Sequence, residues 1–310
     1  MTLTDFVFTS FSLAALLANP PSIGAAENVS VARARRKLRT DVRRQATDGG
    51  RDAGGLFRCW RCDGAMTLAR GALGCRECGA EHRPQRGYLE LLPPGPDPGR
   101  DVFDTWYGWL YDAGVNSRQL AVPGAFLMWG ADAVRLFRMM DVAIACDPGE
   151  VILDAPTGGG VTFSRGAPET RGLLVGIDLS GPMLERAARR RQAARLGPAR
   201  VLLGRGDVTR LPFFDASVDR VCCFNSLHCI PHQPAVLEEF RRVLKPGGEL
   251  LGTTLVEDAP LPWRINVEAA RLGGFFVPPD SERLGRQARS AGFKHWTSEQ
   301  SGALLYFRGE

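Results

Sequence analysis

Apolar positions along the chain fall into two alternating patterns from residue 150 onward. Short apolar runs are separated by longer stretches in which apolar residues recur every three or four positions. EVILDA (150–155), LLVGID (173–178), RVLLGRGD (200–207), DRVCCFN (219–225) and ELLGTTLV (249–256) read as five successive strands. SGPMLERAARRRQAARLG (180–197) and PAVLEEFRRVLKPGG (234–248) read as amphipathic helices. In the first, Ser180 is the expected N-cap, Pro182 sits in the first turn and Gly197 marks the stop; the second is expected to end at its Pro-Gly-Gly break. SERLGRQARSAGF (281–293) predicts a further helix, and KHWTSEQSGALLYFRG (294–309) predicts two strands joined by a tight turn. The interval 257–279, rich in proline and aromatic residues, reads as an inserted cover.

Repeated strand–helix alternation predicts an α/β fold: a doubly wound, Rossmann-like seven-stranded sheet with helices on both faces and an antiparallel hairpin at one edge. Punctuation divides the chain into four parts. Residues 1–54 are expected to be a poorly ordered, dispensable extension, 55–92 a compact cysteine module, 93–100 a Pro-Gly linker, and 101–310 the main domain.

Composition changes this picture little. With 310 residues, 44% hydrophobic and 24% charged, the chain reads as an ordinary globular protein, and a net charge of +5 does not by itself mark a nucleic-acid binder. Its only lysines are Lys37, Lys245 and Lys294 among 39 basic residues, so isolated arginines are discounted as phosphate ligands. No stretch is long and apolar enough to span a membrane. FVFTSFSLAALLA (6–18) has the look of a signal-peptide core but is preceded by Asp5 rather than by basic residues. A cytoplasmic setting is expected, with organellar targeting by the extension left open.

The eight cysteines separate into two groups. Cys146, Cys222, Cys223 and Cys229 lie among apolar residues and read as small core side chains. Cys59, Cys62, Cys75 and Cys78 form C-x2-C-x12-C-x2-C, two knuckles that a hairpin brings together around a structural Zn2+. Four thiolates close the coordination sphere, so neither catalysis nor a ligand role for His82 is assigned there.

Candidate chemistry gathers at the ends of the first three strands, where open α/β sheets bind ligands. DAPTGGG (154–160) puts a glycine-dense loop after strand one, allowing close approach of backbone to a ligand. Asp178 ends strand two, placed to accept the hydroxyls of a ribose, and Asp207 follows strand three, placed to meet an exocyclic amine such as that of adenine. Neither the GxGxxG dinucleotide fingerprint nor a phosphate-loop GK[ST] is present at this loop.

ILDAPTGGG, VGIDLSGPML, GDVTRLPFFDASVDRV, FNSLHCIPH and LEEFRRVLKPGGEL resemble the successive motifs of class I S-adenosylmethionine-dependent methyltransferases, in the branch that includes the ubiquinone and menaquinone enzymes. The resemblance implies that Asp154, Thr157, Gly158 and Gly160 hold the methionine part and the ribose. It implies that Asp178 binds the ribose hydroxyls, that Leu179 and Met183 flank adenine, and that Asp207 and Val208 meet its edge. Asn225 and Ser226 would face the methionine end and the acceptor. The chain departs from the pattern at Pro156, where many members carry glycine, so that position must tolerate negative φ and need no N–H.

His228 is the candidate general base, the alternative being a loop-orienting role; Asn225 is placed beside the reaction. His232 is expected to be solvated near a helix start. Tyr107, Trp109 and Tyr111 either form a lid over the acceptor or pack a helix onto the sheet, and Trp263, Phe275 and Phe276 suggest an apolar pocket.

A ribbon ahead of such a domain, with GYLELLP (87–93) after it, resembles two groups: ribosomal RNA guanine-N1 methyltransferases and uncharacterised plastid methyltransferases. The tail SGALLYFRG and the apolar insertion favour the second, implying a small, apolar or aromatic acceptor such as a quinone- or lipid-like metabolite. RNA methylation, with the arginines of 33–44 gripping RNA, and a silent cofactor-binding interaction module are the alternatives.

Overall fold

The computed structural model describes residues 56–69, 72–93, 102–104, 108, 112–114, 117–165, 171–197, 200–273 and 276–310. The N-terminal extension, nearly all of the linker, and Tyr107, Trp109, Tyr111 and Phe275 lie outside the described residues. The described residues belong to one compact unit.

Two sheets organise it. The cysteine module is a four-stranded antiparallel sheet of β1 (Phe57–Arg58), β2 (Ala65–Ala69), β3 (Ala72–Cys75) and β4 (Glu81–His82). The main sheet has eight strands in the order β11-β12-β10-β9-β6-β7-β8-β5. Seven are the expected ones: β6 (Val151–Asp154), β7 (Leu173–Asp178), β8 (Val201–Arg205), β9 (Val218–Phe224), β10 (Leu244–Leu255), β11 (Trp296–Ser301) and β12 (Leu304–Gly309). β6 to β10 run parallel, and β12 pairs antiparallel with both β10 and β11. The eighth strand, β5 (Leu89–Glu90), comes from GYLELLP and pairs parallel with β8. Two residues are too few to show a period, and the pairing partner lies far along the chain.

Chain order runs outward over β6, β7 and β8, then returns to the other side of β6 at β9. That reversal opens a crevice at the carboxyl ends of these strands. Alternate side chains feed two cores: Leu153, Val175, Val221 and Cys223 face one layer, and Ile152, Leu174, Cys222 and Phe224 the other. The first layer also contains Leu56, Phe57, Cys59, Met66, Leu73 and Cys75 of the cysteine module.

Helices are α1 (Arg118–Trp129), α2 (Ala133–Ala143), α3 (Val161–Arg165), α4 (Gly181–Ala193), α5 (Gln233–Val243), α6 (Trp263–Leu272) and α7 (Ser281–Ser290). Ser180 caps α4 by accepting from the Met183 amide at 3.3 Å. The stop differs from the sequence expectation. Arg195, not Gly197, takes the left-handed conformation (φ +57°), and the Leu196 amide donates to the Arg191 carbonyl at 3.0 Å, closing the helix early. Nor does α5 reach the Pro-Gly-Gly segment. It ends at Val243, and Leu244 already pairs with Val218, with a register shift before Glu249 and Gly247 at φ +77° absorbing the extra residues. The inserted cover contains α6, packed against α1 through Phe126 and Trp263.

Candidate functional site

A cavity of about 480 Å³ occupies the crevice, a size that suits a small-molecule ligand. The loop after β6 forms its floor. Pro156 follows a cis peptide bond, and Gly158 and Gly160 take φ of +54° and +74°. Those two positions demand glycine, as expected, whereas Pro156 occupies a place where negative φ suffices. A Cβ on Gly158 would meet nothing within 4 Å, so its positive φ is the constraint there. One on Gly160 would sit 2.5 Å from the Phe163 ring.

Asp154 lies beneath this loop, 2% exposed. Its Oδ2 accepts from the hydroxyls of Thr157 (2.8 Å) and Thr162 (2.6 Å), joining both ends of the glycine turn to one carboxylate. Burial raises its pKa to about 6, against the lowering effect of those two bonds. Asp178, at the end of β7, accepts from the Gly158 amide (2.7 Å) and the Ser180 amide (2.9 Å). It therefore ties the glycine loop to the start of α4. Asp207 is held by Thr209, whose amide and hydroxyl both donate to its Oδ1, at 2.8 and 2.7 Å.

The structure brings Asp154, Thr157, Gly158, Asp178, Leu179, Met183, Asp207, Val208, Asn225 and Ser226 together around this one cavity. Gly160 shapes the loop without lining the cavity. Asn225, at the end of β9, adopts φ +51°, which is uncommon outside glycine. Thr253 holds it there: the Asn225 amide donates to the Thr253 carbonyl at 2.8 Å, and the Thr253 hydroxyl donates to Asn225 Oδ1 at 2.9 Å.

His228 is not brought to the cavity. It is 4% exposed and packs edge-on against Phe276 at 4.7 Å. Its Nδ1 accepts from the Leu255 amide at 3.2 Å, and burial lowers its pKa to about 3. A buried, neutral ring engaged by backbone fits the loop-orienting alternative better than a base. His232, exposed at the start of α5, reaches the cavity rim. Cys229, expected in the core, is instead half-buried and lines the cavity, whereas Cys146, Cys222 and Cys223 are core residues.

Sequence reasoning missed Thr162, Asp112 and Arg190. Thr162 carries a weak signal as a polar residue in the first turn of a short helix. Asp112 and Arg190 carried none, because their pairing at 2.6 Å joins the segment before α1 to the far end of α4. Arg190 also donates to the Gly159 carbonyl.

In the cysteine module, the sulfurs of Cys59, Cys62, Cys75 and Cys78 all lie within 4.8 Å of one another. Cys59–Cys78 and Cys62–Cys75 are separated by 3.7 and 3.5 Å. A tetrahedral zinc site with Zn–S near 2.3 Å has sulfur–sulfur edges of about 3.8 Å, so the donor set fits that geometry. His82 stands outside it, its Nδ1 2.9 Å from the Glu90 carbonyl.

Residues 152–248 match the family model described as a methyltransferase domain. An uncharacterised chloroplastic methyltransferase of Arabidopsis thaliana is 30% identical over 163 residues, covering 50% of this chain and 46% of that protein. The 27-O-demethylrifamycin SV methyltransferase of Amycolatopsis mediterranei is 35% identical over 127 residues, covering 41% of this chain and 46% of the relative. The demethylmenaquinone methyltransferase of Symbiobacterium thermophilum is 36% identical over 167 residues, covering 51% and 61%. The chain thus spans less than half the length of the first two of these relatives. Among solved structures, a chain of the complex between the Haloferax volcanii Trm112 methyltransferase activator and a methyltransferase superposes with a TM-score of 0.53. It is 19% identical and covers 68% of this chain and 98% of that one, a likeness of fold.

Proposed function

We propose that this protein, by its 152–248 domain a methyltransferase of the S-adenosylmethionine-dependent class, methylates a small apolar or aromatic acceptor of quinone- or lipid-like character. The observation that carries the reading is the convergence of Asp154, Asp178 and Asp207, from three successive strands, on one cavity with a glycine floor. Bound S-adenosylmethionine supplies an activated sulfonium methyl for in-line displacement, so the protein's task is mainly alignment.

In this reading Asp154 sets the glycine loop through Thr157 and Thr162 and offers negative charge to the cationic methionine end. Asp178 takes the ribose hydroxyls, Leu179 and Met183 enclose adenine, and Asp207 with Val208 reads its edge. Asn225 and Ser226 orient the acceptor at the end of β9, Asn225 being pre-positioned by Thr253. Among the described residues the histidine lining the cavity is exposed His232, and buried His228 is not part of the lining, which suits an acceptor that reacts without a buried proton relay. Phe103, Met140, Phe224 and Ile230 give it an apolar lining, and two relatives are named for demethylmenaquinone and 27-O-demethylrifamycin SV. Cys59, Cys62, Cys75 and Cys78 hold a structural Zn2+, and the reduced thiols suit a cytoplasmic setting.

Incubation with methyl-labelled S-adenosylmethionine, a fractionated lipid extract and total RNA tests this. Label is expected in the apolar fraction. Label in RNA alone, or tight cofactor binding with label in neither, overturns the acceptor assignment.

A further inference from the structure

The cysteine module takes no part in the chemistry just described, yet it is bonded along two routes to segments that adjoin the proposed adenine side of the cavity. The first starts three residues before Cys59. Leu56 accepts from the Phe214 amide at 3.1 Å, the Arg58 amide donates to the Pro212 carbonyl at 3.0 Å, and the Phe57 and Phe213 rings lie 4.9 Å apart. Residues 212–214 therefore continue the module's sheet as an added rung, and they close the loop that begins with Asp207 and Val208.

The second route runs through β5. His82 of β4 contacts the Glu90 carbonyl at 2.9 Å, and the Leu91 amide donates to the Arg205 carbonyl at 2.9 Å. Leu91 also packs where a Cβ on Gly204 would meet it at 2.5 Å. From there Arg205 turns back into the main domain. Its Nε donates to the Leu179 carbonyl at 2.9 Å, and its guanidinium stands 3.6 Å from Glu90. Leu179 lines the cavity, and the amide of the next glycine, Gly206, donates to the Asp178 carbonyl at 3.0 Å. Leu179 is thus bonded to Arg205, which β5 holds from its other side, and the loop that begins at Asp207 is bonded through residues 212–214 to the first strand of the module.

Strands of two to five residues cannot form a stable sheet alone, and modules of this size gain their fold from bound metal. We propose that the cysteine module is a metal-dependent brace for the adenine side of the cofactor site, with Arg205 as the positioning residue that transmits it. The inference rests on the cofactor and zinc assignments above. Metal loading selects one arrangement of 205–214 and of Leu179, so cofactor affinity rises with metal occupancy although no metal ligand touches the cofactor.

The test uses the full chain. Zinc is withdrawn with a chelator under reducing conditions, leaving the cavity-lining Cys229 unmodified, and returned by adding Zn2+, while S-adenosylhomocysteine binding is followed by calorimetry and zinc by a colorimetric reporter. Affinity is expected to fall at least about tenfold on withdrawal and to recover on return, the effect of losing one or two well-placed hydrogen bonds. Should withdrawal unfold the whole chain, Arg205→Ala decides. It is expected to keep its zinc and its thermal transition, to raise the KM for S-adenosylmethionine several-fold with kcat nearly unchanged, and to be partly rescued by Arg205→Lys. Unaltered affinity in a chain whose four thiols have opened, or unaltered KM in Arg205→Ala, overturns the brace. Failure of the zinc-loaded native chain to bind the cofactor at all instead overturns the site assignment on which the brace rests.

Discussion

Arg190 and Asp112 form a two-pronged ion pair across the glycine loop, with Nη1–Oδ1 and Nη2–Oδ2 distances of 2.8 and 2.6 Å. The same guanidinium bonds the Gly159 carbonyl, and a Cβ on Gly159 would collide with both partners. The pair locks the segment before α1 onto the cofactor floor. Arg190→Leu leaves Asp112 as a buried carboxylate without this partner, an arrangement that costs about 3 kcal/mol. The expected outcome is a lowered midpoint in urea together with weaker S-adenosylhomocysteine binding. A variant of native stability and native affinity would remove the pair from the site.

Asp178 joins the glycine loop to the helix start, and in the proposed reading it also takes the ribose. Asp178→Ala is expected to weaken cofactor binding about a hundredfold by calorimetry, because charge-assisted bonds contribute about 1.5–3 kcal/mol each. Affinity within twofold of the native chain contradicts the ribose assignment.

Asp154 gives the site a pH dependence whose sign can be worked out. In the empty protein its pKa is raised to about 6 by burial. A cationic ligand favours the ionised form, lowers that pKa and releases the proton on binding. Affinity therefore rises with pH up to about 6 and is level above it. The same raised pKa means that folding stability associated with Asp154 is greatest below the unfolded carboxyl range, near 4, and is lost as pH climbs to about 6. Asp154→Asn should accordingly be more stable than the native chain at pH 8, show no such gap at pH 4, and lose the pH dependence of cofactor binding. Urea titrations and calorimetry at several pH values check each part.

His228 is expected to be dispensable for turnover. His228→Asn retains an acceptor for the Leu255 amide, and methyl transfer should stay within about tenfold of native, with no titration lost from the rate profile. Its depressed pKa acts on stability instead. The unfolded chain protonates this ring near pH 6.5, while the folded chain resists until about 3, so stability linked to His228 falls as pH drops through that window. The variant should lose less stability than the native chain between those limits.

What could be read before the structure was whatever local pattern decides. Asp154 and Asp178 close buried strands, Asp207 and Asn225 follow within two residues of a strand end, and strand ends at a chain reversal face the crevice whatever else the fold contains. Gly158 and Gly160 were legible because positive φ is a backbone demand. His228 misleads because its position, three residues past Asn225, says nothing about which way a ring turns. Phe276, 48 residues further on, packs against it, and the Thr254–Leu255 strand end engages its nitrogen. Arg190 and Asp112, and the pairing of Leu89–Glu90 with β8, are decided by tertiary packing and leave no local period or motif. The end of α5 was misplaced for a related reason: Leu244 finds a ladder partner in Val218, and that pairing overrides the helical pattern of its neighbours.

β5 has a consequence for solubility as well as for the site. It occupies the edge of the main sheet at Gly204 and Arg205, beside the apolar run Val201–Leu203. A bare parallel edge of that composition offers unpaired amides and carbonyls to any other extended chain. Displacing β5 would uncover the Gly204–Arg205 end of that edge and lengthen it as a template for strand addition, so chains that lose the order of the module should be the ones that self-associate.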